Sequence, residues 1–290
     1  MSILVIGSTG TVGSLVVQGL AKQGAQVKAM VRRTGTLSLP AGVDGVVADL
    51  GDVNSLRLAM SGVRTLFLLN ALAPDEVTQS LQALSVAREA GIQRIVYLSV
   101  IHADLYTDVP HFTGKHTVER MIESLDLPAT ILRPAYFMQN DAAIQSVIEG
   151  YGVFPMPIGA KGCAMVDVRD IADIAVAELL RRDRSAEPLP RLTLEVAGNE
   201  VFTGEAAAAV WAQALNREIR YGGDDVQAFE AQLTAQHVPA WMAYDLRLMM
   251  SRIQQLGQIP AAGATRTLEK ILGRPLRTYQ AFVAERVKAA

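Results

Sequence analysis

The sequence predicts an α/β protein: a doubly wound parallel sheet with a smaller, mainly helical C-terminal lobe. Three observations carry that expectation. Short runs rich in β-branched residues alternate with stretches of helical period through the first half of the chain. Those runs are continuously apolar instead of alternating apolar and polar, as strands covered on both faces are. The pattern then changes after about residue 150, where "GYGVFPMPIGAKG" (150–162) reads as a loop or lobe boundary.

Taken in order, the strand candidates are "ILVI" (3–6), "VKAMV" (27–31), "GVVA" (45–48), "TLFLL" (65–69), "IVYLSV" (95–100) and "ATIL" (129–132). Helical segments are expected near 12–23, 53–60, 76–90, 111–125 and 137–149, with Gly91 and Gly150 as C-terminal caps. Beyond the boundary, "VDVRDIADIAVAELL" (166–180) reads as a short strand feeding an amphipathic helix, and "LTLEVAG" (192–198) as a strand returning to the main sheet. From Thr203 onward the pattern is mostly helical, with one short strand near 217–221. The expected division is an α/β domain over 1–150, to which 163–200 returns, and a mainly helical lobe over 201–290.

Composition narrows the class of function. The chain has 290 residues, 50% hydrophobic and 19% charged, with a formal net charge of -2. Such a balance offers no general attraction for nucleic acid or for an anionic membrane. Cys163 is the only cysteine, so no intrachain disulfide forms. No basic segment precedes a long apolar one, and no apolar run approaches the roughly 20 residues of a membrane helix. A cytoplasmic protein is expected. His111 and His116 are five residues apart and belong to no cluster with metal-ligand spacing, so no metal site is assigned.

The first strand runs into Gly7, Ser8, Thr9, Gly10, Thr11, Val12 and Gly13. Three glycines alone are weak evidence, but here a buried strand precedes them and a helix follows. Gly7 permits the tight turn, while Gly10 and Gly13 let backbone and helix approach a pyrophosphate held on the free N–H groups of the helix N-terminus. A turn without ligand is the alternative. Where NAD-binding folds usually carry an acidic residue, the second strand ends in Arg32 and Arg33. Paired arginine donors suit a 2′-phosphate, to which the hydroxyls of Ser8 and Thr9 can add contacts. NADP(H) is therefore favoured over NAD(H), which stays open.

The stretch "GSTGTVG", followed by "VRR", "ADL", "YLS", "ILRPAYFMQN", "VDVRDIAD" and "LGRPLRTYQAF", closely resembles the NmrA-like, atypical branch of the short-chain dehydrogenase/reductase superfamily. The resemblance spans essentially the whole chain. It implies a Rossmann-type domain with a small C-terminal substrate lobe, in a family that includes both NAD(P)H-dependent quinone reductases and NAD(P)-binding regulators. It also implies that Asp49 and Leu50 border the adenine, that Asn70 and Ala71 lie beside the ribose, and that Ser99 follows the fifth strand. Lys115 would contact the nicotinamide ribose, and the backbone beyond Pro134 would meet the nicotinamide. Tyr136, Phe137 and Asn140 fall at the next helix start, where a planar acceptor can stack or where the helix merely packs.

Typical members of the superfamily pair that lysine with a tyrosine four residues earlier; here the position holds His111. Residues i and i+4 share a helix face, so His111 and Lys115 can both reach one ligand, and Glu119 is expected to pair with Lys115. Imidazole can transfer a proton near neutral pH, but His111 can also be simply a helix-start residue touching solvent or substrate. Tyr97 and Tyr106 are off-register. The leading reading is an NADPH-dependent reductase of small quinone-like or conjugated carbonyl acceptors. The second is a non-catalytic redox sensor acting on a regulatory protein partner, and the third a pathway-specific carbonyl or double-bond reductase. Trp211, Trp241, Tyr244, Met249 and Met250 either line a pocket or fill a helical core. The "WMAYDLRLMM" stretch (241–250) has enough apolar surface to cover a cleft or to form a homodimer.

Overall fold

The computed structural model describes residues 2–33 and 39–289. The elements run β1 (Ser2–Val5), α1 (Thr11–Lys22), β2 (Val27–Val31), β3 (Val43–Val47), α2 (Val53–Met60), β4 (Val63–Leu68), α3 (Glu76–Glu89), β5 (Ile95–Leu98), α4 (Pro110–Ser124) and β6 (Ala129–Pro134). They continue through α5 (Met138–Ala143), α6 (Gln145–Tyr151), β7 (Val153–Phe154), α7 (Val168–Arg184) and β8 (Leu192–Val196). The remainder is α8 (Gly204–Leu215), β9 (Arg220–Tyr221), α9 (Val226–Ala235), α10 (Ala240–Leu256), α11 (Ala264–Leu272) and α12 (Tyr279–Ala289). Two compact units emerge: 1–100, 114–133 and 171–194 form the first, and 101–113, 134–170 and 195–290 the second.

A seven-stranded sheet has the order β3-β2-β1-β4-β5-β6-β8, and every pairing from β3 to β6 is parallel. Strand order reverses between β1 and β4, and in such sheets ligands bind outside the carboxyl ends of the strands at that point. The continuous apolar runs are explained by burial on both faces. On one face of the first unit, Leu4, Leu66, Ile95, Tyr97 and Ile131 join a cluster with Leu56 of α2, Leu84 of α3 and Ile122 of α4. On the other face α1 and α7 approach closely, since a Cβ on Gly19 would lie 2.8 Å from Val176 Cγ2.

The second unit is mainly helical and also holds the two-residue strands β7 and β9, which pair in parallel. Several expectations need correction. The segment 137–149 is two helices, broken at Ile144, which ends α5 and begins α6 with φ -104° and ψ 7°. The cap is Gly152, in the left-handed region at φ 64°, while Gly150 lies inside α6. Residues 166–167 form no strand; Val166 makes an isolated bridge to Phe137, and α7 starts at Val168. Trp211 is fully buried and Met250 nearly so, whereas Trp241 and Tyr244 are exposed.

Candidate active site

In the first unit, the site residues collect just past the carboxyl ends of β1, β4 and β5. Ile6 N–H donates to Phe67 O, which fixes the end of β1 beside β4. Gly7 then turns with φ +75°, and a Cβ there would lie 2.5 Å from Leu69 O. At Gly13 a Cβ would come 2.0 Å from Gly7 O, so the first turn of α1 closes on the loop only because no side chain intervenes. Gly10 differs: its nearest such contact is 3.5 Å, so the space beside it is open. Gly10 is also the N-cap of α1, contributes no side-chain cap, and is followed by no acidic residue in the first turn. Backbone N–H groups and the positive end of the helix dipole therefore remain for an anion.

Two buried polar side chains sharpen the picture. Asn70 is 5% exposed and Ser99 2% exposed. Among the described residues, neither amide atom of Asn70 nor the Ser99 hydroxyl has a hydrogen-bond partner. Buried polar groups are nearly always paired, so these two await a polar ligand or water. Thr9, Thr11, Arg32, Arg33, Asp49 and Ala71 are exposed, Val12 is buried, and Leu50 is half-buried. The Asp49 carboxylate accepts from Gly51 N–H at 2.7 Å. Ser8 departs from expectation: its buried hydroxyl donates to Met30 O at 2.5 Å, which commits that proton to the sheet and not to a phosphate. These features fit a dinucleotide phosphate, with backbone donors for the pyrophosphate, arginines for an outer phosphate and buried amide and hydroxyl groups for sugar or base.

Lys115 lies on α4, but Glu119 is not its partner. Lys115 Nζ donates to Glu76 Oε1 at 2.7 Å, with side chains 14% and 8% exposed. Glu119 instead takes a forked pair from Arg133 Nε and Nη2 at 3.0 and 2.5 Å. A planar guanidinium matches both carboxylate oxygens, which a lysine one turn away cannot. Gly114 makes room for α3, since a Cβ there would lie 2.8 Å from Val77 Cγ2. Between these carboxylates, Tyr97 is pushed above its ordinary pKa by burial, then by Glu76 and Glu119, so it stays a phenol.

In the second unit, His111 is not a solvated helix start. Its backbone N–H donates to Asp245 Oδ1 at 3.0 Å and its ring Nδ1 bonds Asp245 Oδ2. The imidazole meets Phe112 edge-on, with ring centroids 4.6 Å apart, and Phe112 stacks on the buried Tyr106. Tyr106 OH donates to Gly257 O at 2.5 Å, so it is a core residue. Tyr136 is likewise interior: its hydroxyl donates to Asp141 Oδ1 at 2.8 Å, and Tyr279 OH takes the other oxygen at 2.5 Å. Burial raises Asp141 to about 7, against the pull of both tyrosines. Phe137 is half-buried and Asn140 exposed, while Pro134 is buried. Among the described residues no group of His, Cys, Asp and Glu could hold a metal ion, and no helix is long and apolar enough to cross a membrane.

Sequence reasoning missed Glu76, Asp141 and Asp245. For Glu76 the available signal was an acidic residue in the first turn of α3. Asp245 is 134 positions from His111, and nothing local announces the pairing.

The sheet order and the glycine cradle define a Rossmann-like α/β protein. The chain belongs to the NmrA-like family, which it matches over residues 1–273. It is 30% identical to an NAD(P)H azoreductase of Xenophilus azovorans, over 97% of this chain and 96% of that one. It is 27% identical to quinone oxidoreductase 2 of Escherichia coli over 97% of both chains. A crystal structure of an E. coli NADPH-dependent quinone oxidoreductase complexed with NADPH superposes with a TM-score of 0.83 at 25% identity, covering 99% of each chain.

Proposed function

We propose that this chain is an NADPH-dependent oxidoreductase that transfers hydride to a small quinone-like or conjugated carbonyl acceptor. The observation that carries the reading is the cradle past β1, β4 and β5, with its buried, unpartnered Asn70 and Ser99. Its support is the end-to-end similarity to an NAD(P)H azoreductase and a quinone oxidoreductase.

When bound, the dinucleotide supplies a hydride from its nicotinamide ring. The chain's own residues do the rest. Backbone N–H groups of the Gly7–Gly13 loop hold the pyrophosphate at the N-terminus of α1. Arg32 and Arg33 bind the 2′-phosphate, which gives the preference for NADPH. Asp49 and Leu50 border the adenine, and Asn70, Ala71 and Ser99 flank the sugar. Lys115, steadied by Glu76, hydrogen-bonds the nicotinamide ribose, and the backbone past Pro134 meets the ring. Phe137 and Asn140 face a planar acceptor. His111, four residues before Lys115 in the place of the superfamily's usual tyrosine, is the candidate proton source.

The test is NADPH oxidation against a panel of quinones, azo compounds and enones. Oxidation above the blank with at least one of them supports the reading. A chain that binds NADPH yet accelerates none of these reactions is a sensor, and the proposal fails.

A further inference from the structure

We infer that Asp245 is a positioning residue that sets His111 as the proton donor to the reduced acceptor. The inference rests on the reductase reading above and deepens it. Asp245 sits on α10 with its side chain 3% exposed, and buried carboxylates require partners. Here both oxygens serve one residue: Oδ1 accepts the His111 backbone N–H and Oδ2 bonds the ring Nδ1. An ionised carboxylate is only an acceptor, so Nδ1 must carry the hydrogen. That fixes the tautomer and leaves Nε2 as the nitrogen for proton exchange. A cap on the first turn of α4 would need only the bond from Oδ1. The bond to the ring adds nothing to capping, but it fixes the direction and protonation pattern of the imidazole.

The step balances simply. Hydride addition gives the quinone two electrons and one hydrogen, leaving a hydroquinone monoanion. The Nε2–H bond of the imidazolium breaks as an O–H bond forms, yielding hydroquinone and neutral imidazole, which solvent reprotonates. An azo acceptor likewise becomes an anion that needs a proton. A cationic triphenylmethane dye does not, because hydride at its central carbon gives the neutral product directly. The dyad should therefore matter for quinones and not for such dyes.

The experiment compares the parent, Asp245→Asn, His111→Gln and the double variant on one p-quinone and one cationic triphenylmethane dye, with NADPH affinity as the folding control. Asn at 245 keeps an acceptor for the His111 backbone N–H but cannot accept from Nδ1–H at the second position. If it fails to fold, His111→Gln alone carries the test. We expect the quinone-to-dye rate ratio to fall by ~100-fold in each single variant, a typical loss for a misplaced general acid. The double variant should lose no more than His111→Gln. Should the dye be no substrate, the quinone rate itself must show that loss and that non-additivity. A quinone rate in Asp245→Asn within about twofold of the parent overturns the inference, as do equal losses on both acceptors or additive losses in the double variant. A parent that reduces neither acceptor while binding NADPH overturns the reductase reading and this inference with it. An active parent with indifferent variants overturns the inference alone.

Discussion

Lys115 Nζ and Glu76 Oε1 are 2.7 Å apart, joining the middle of α4 to the first turn of α3. Removing one partner of a mostly buried pair leaves the other charge uncompensated, at a cost of about 3 kcal/mol. Lys115→Met should therefore lower the urea midpoint, and adding Glu76→Gln should restore much of it. Turnover should not return with stability, because a hydride donor misplaced by ~1 Å can lose around 100-fold. Denaturant titrations and steady-state rates on the single and double variants check both halves.

The glycines of the cradle make opposite predictions. At Gly10 a side chain has open space, so Gly10→Val should fold with a melting temperature near the parent's yet lose NADPH binding. At Gly13 even one Cβ would strike Gly7 O at 2.0 Å, so Gly13→Ala should be destabilised itself. Thermal melts paired with NADPH titrations separate the two. A folded Gly10→Val that binds like the parent would show the loop to be only a turn.

Much of this was legible beforehand, and the failures share a cause. Continuous apolar runs announce buried parallel strands because burial on both faces is a property of the run itself. The glycine spacing is legible for the same reason, since the turn, the close approach and the helix start are all local. The Lys115–Glu119 expectation failed because i,i+4 spacing brings two residues within reach but says nothing about competitors. Arg133 from β6 and Glu76 from α3 each offered a better match. Ser8 failed likewise, its hydroxyl being taken by a carbonyl 22 residues away. Asp245 and Asp141 find their roles only through tertiary contacts with His111 and Tyr279.

Arg32 and Arg33 follow β2 and are exposed, so replacing them should leave the fold intact. Changing both to Ala should remove the preference for NADPH while leaving NADH affinity nearly unchanged. Calorimetric titration of both cofactors measures this. Tighter NADH binding in the parent would contradict it.

Asp141 should make stability depend on pH. Its folded pKa is raised to about 7 from 3.8 in the unfolded chain. The folded state therefore holds a proton that the unfolded state has lost between those values. The contribution is fully present below about pH 4 and falls as pH rises to about 7, by ~4 kcal/mol for a shift of ~3 units. Asp141→Asn should flatten that part of the profile, because an amide stays neutral throughout. Unfolding free energies of parent and variant from pH 4.5 to 8 give the difference, and parallel profiles would refute the assignment.

The central claim is that the chain moves a hydride from NADPH to a small acceptor. Its most direct measurement is the rate of quinone-dependent NADPH oxidation, repeated with deuterium at the transferred position of the nicotinamide. The account predicts oxidation well above the blank and slower turnover with the deuterated cofactor. NADPH that binds but is not oxidised faster than the blank would contradict it.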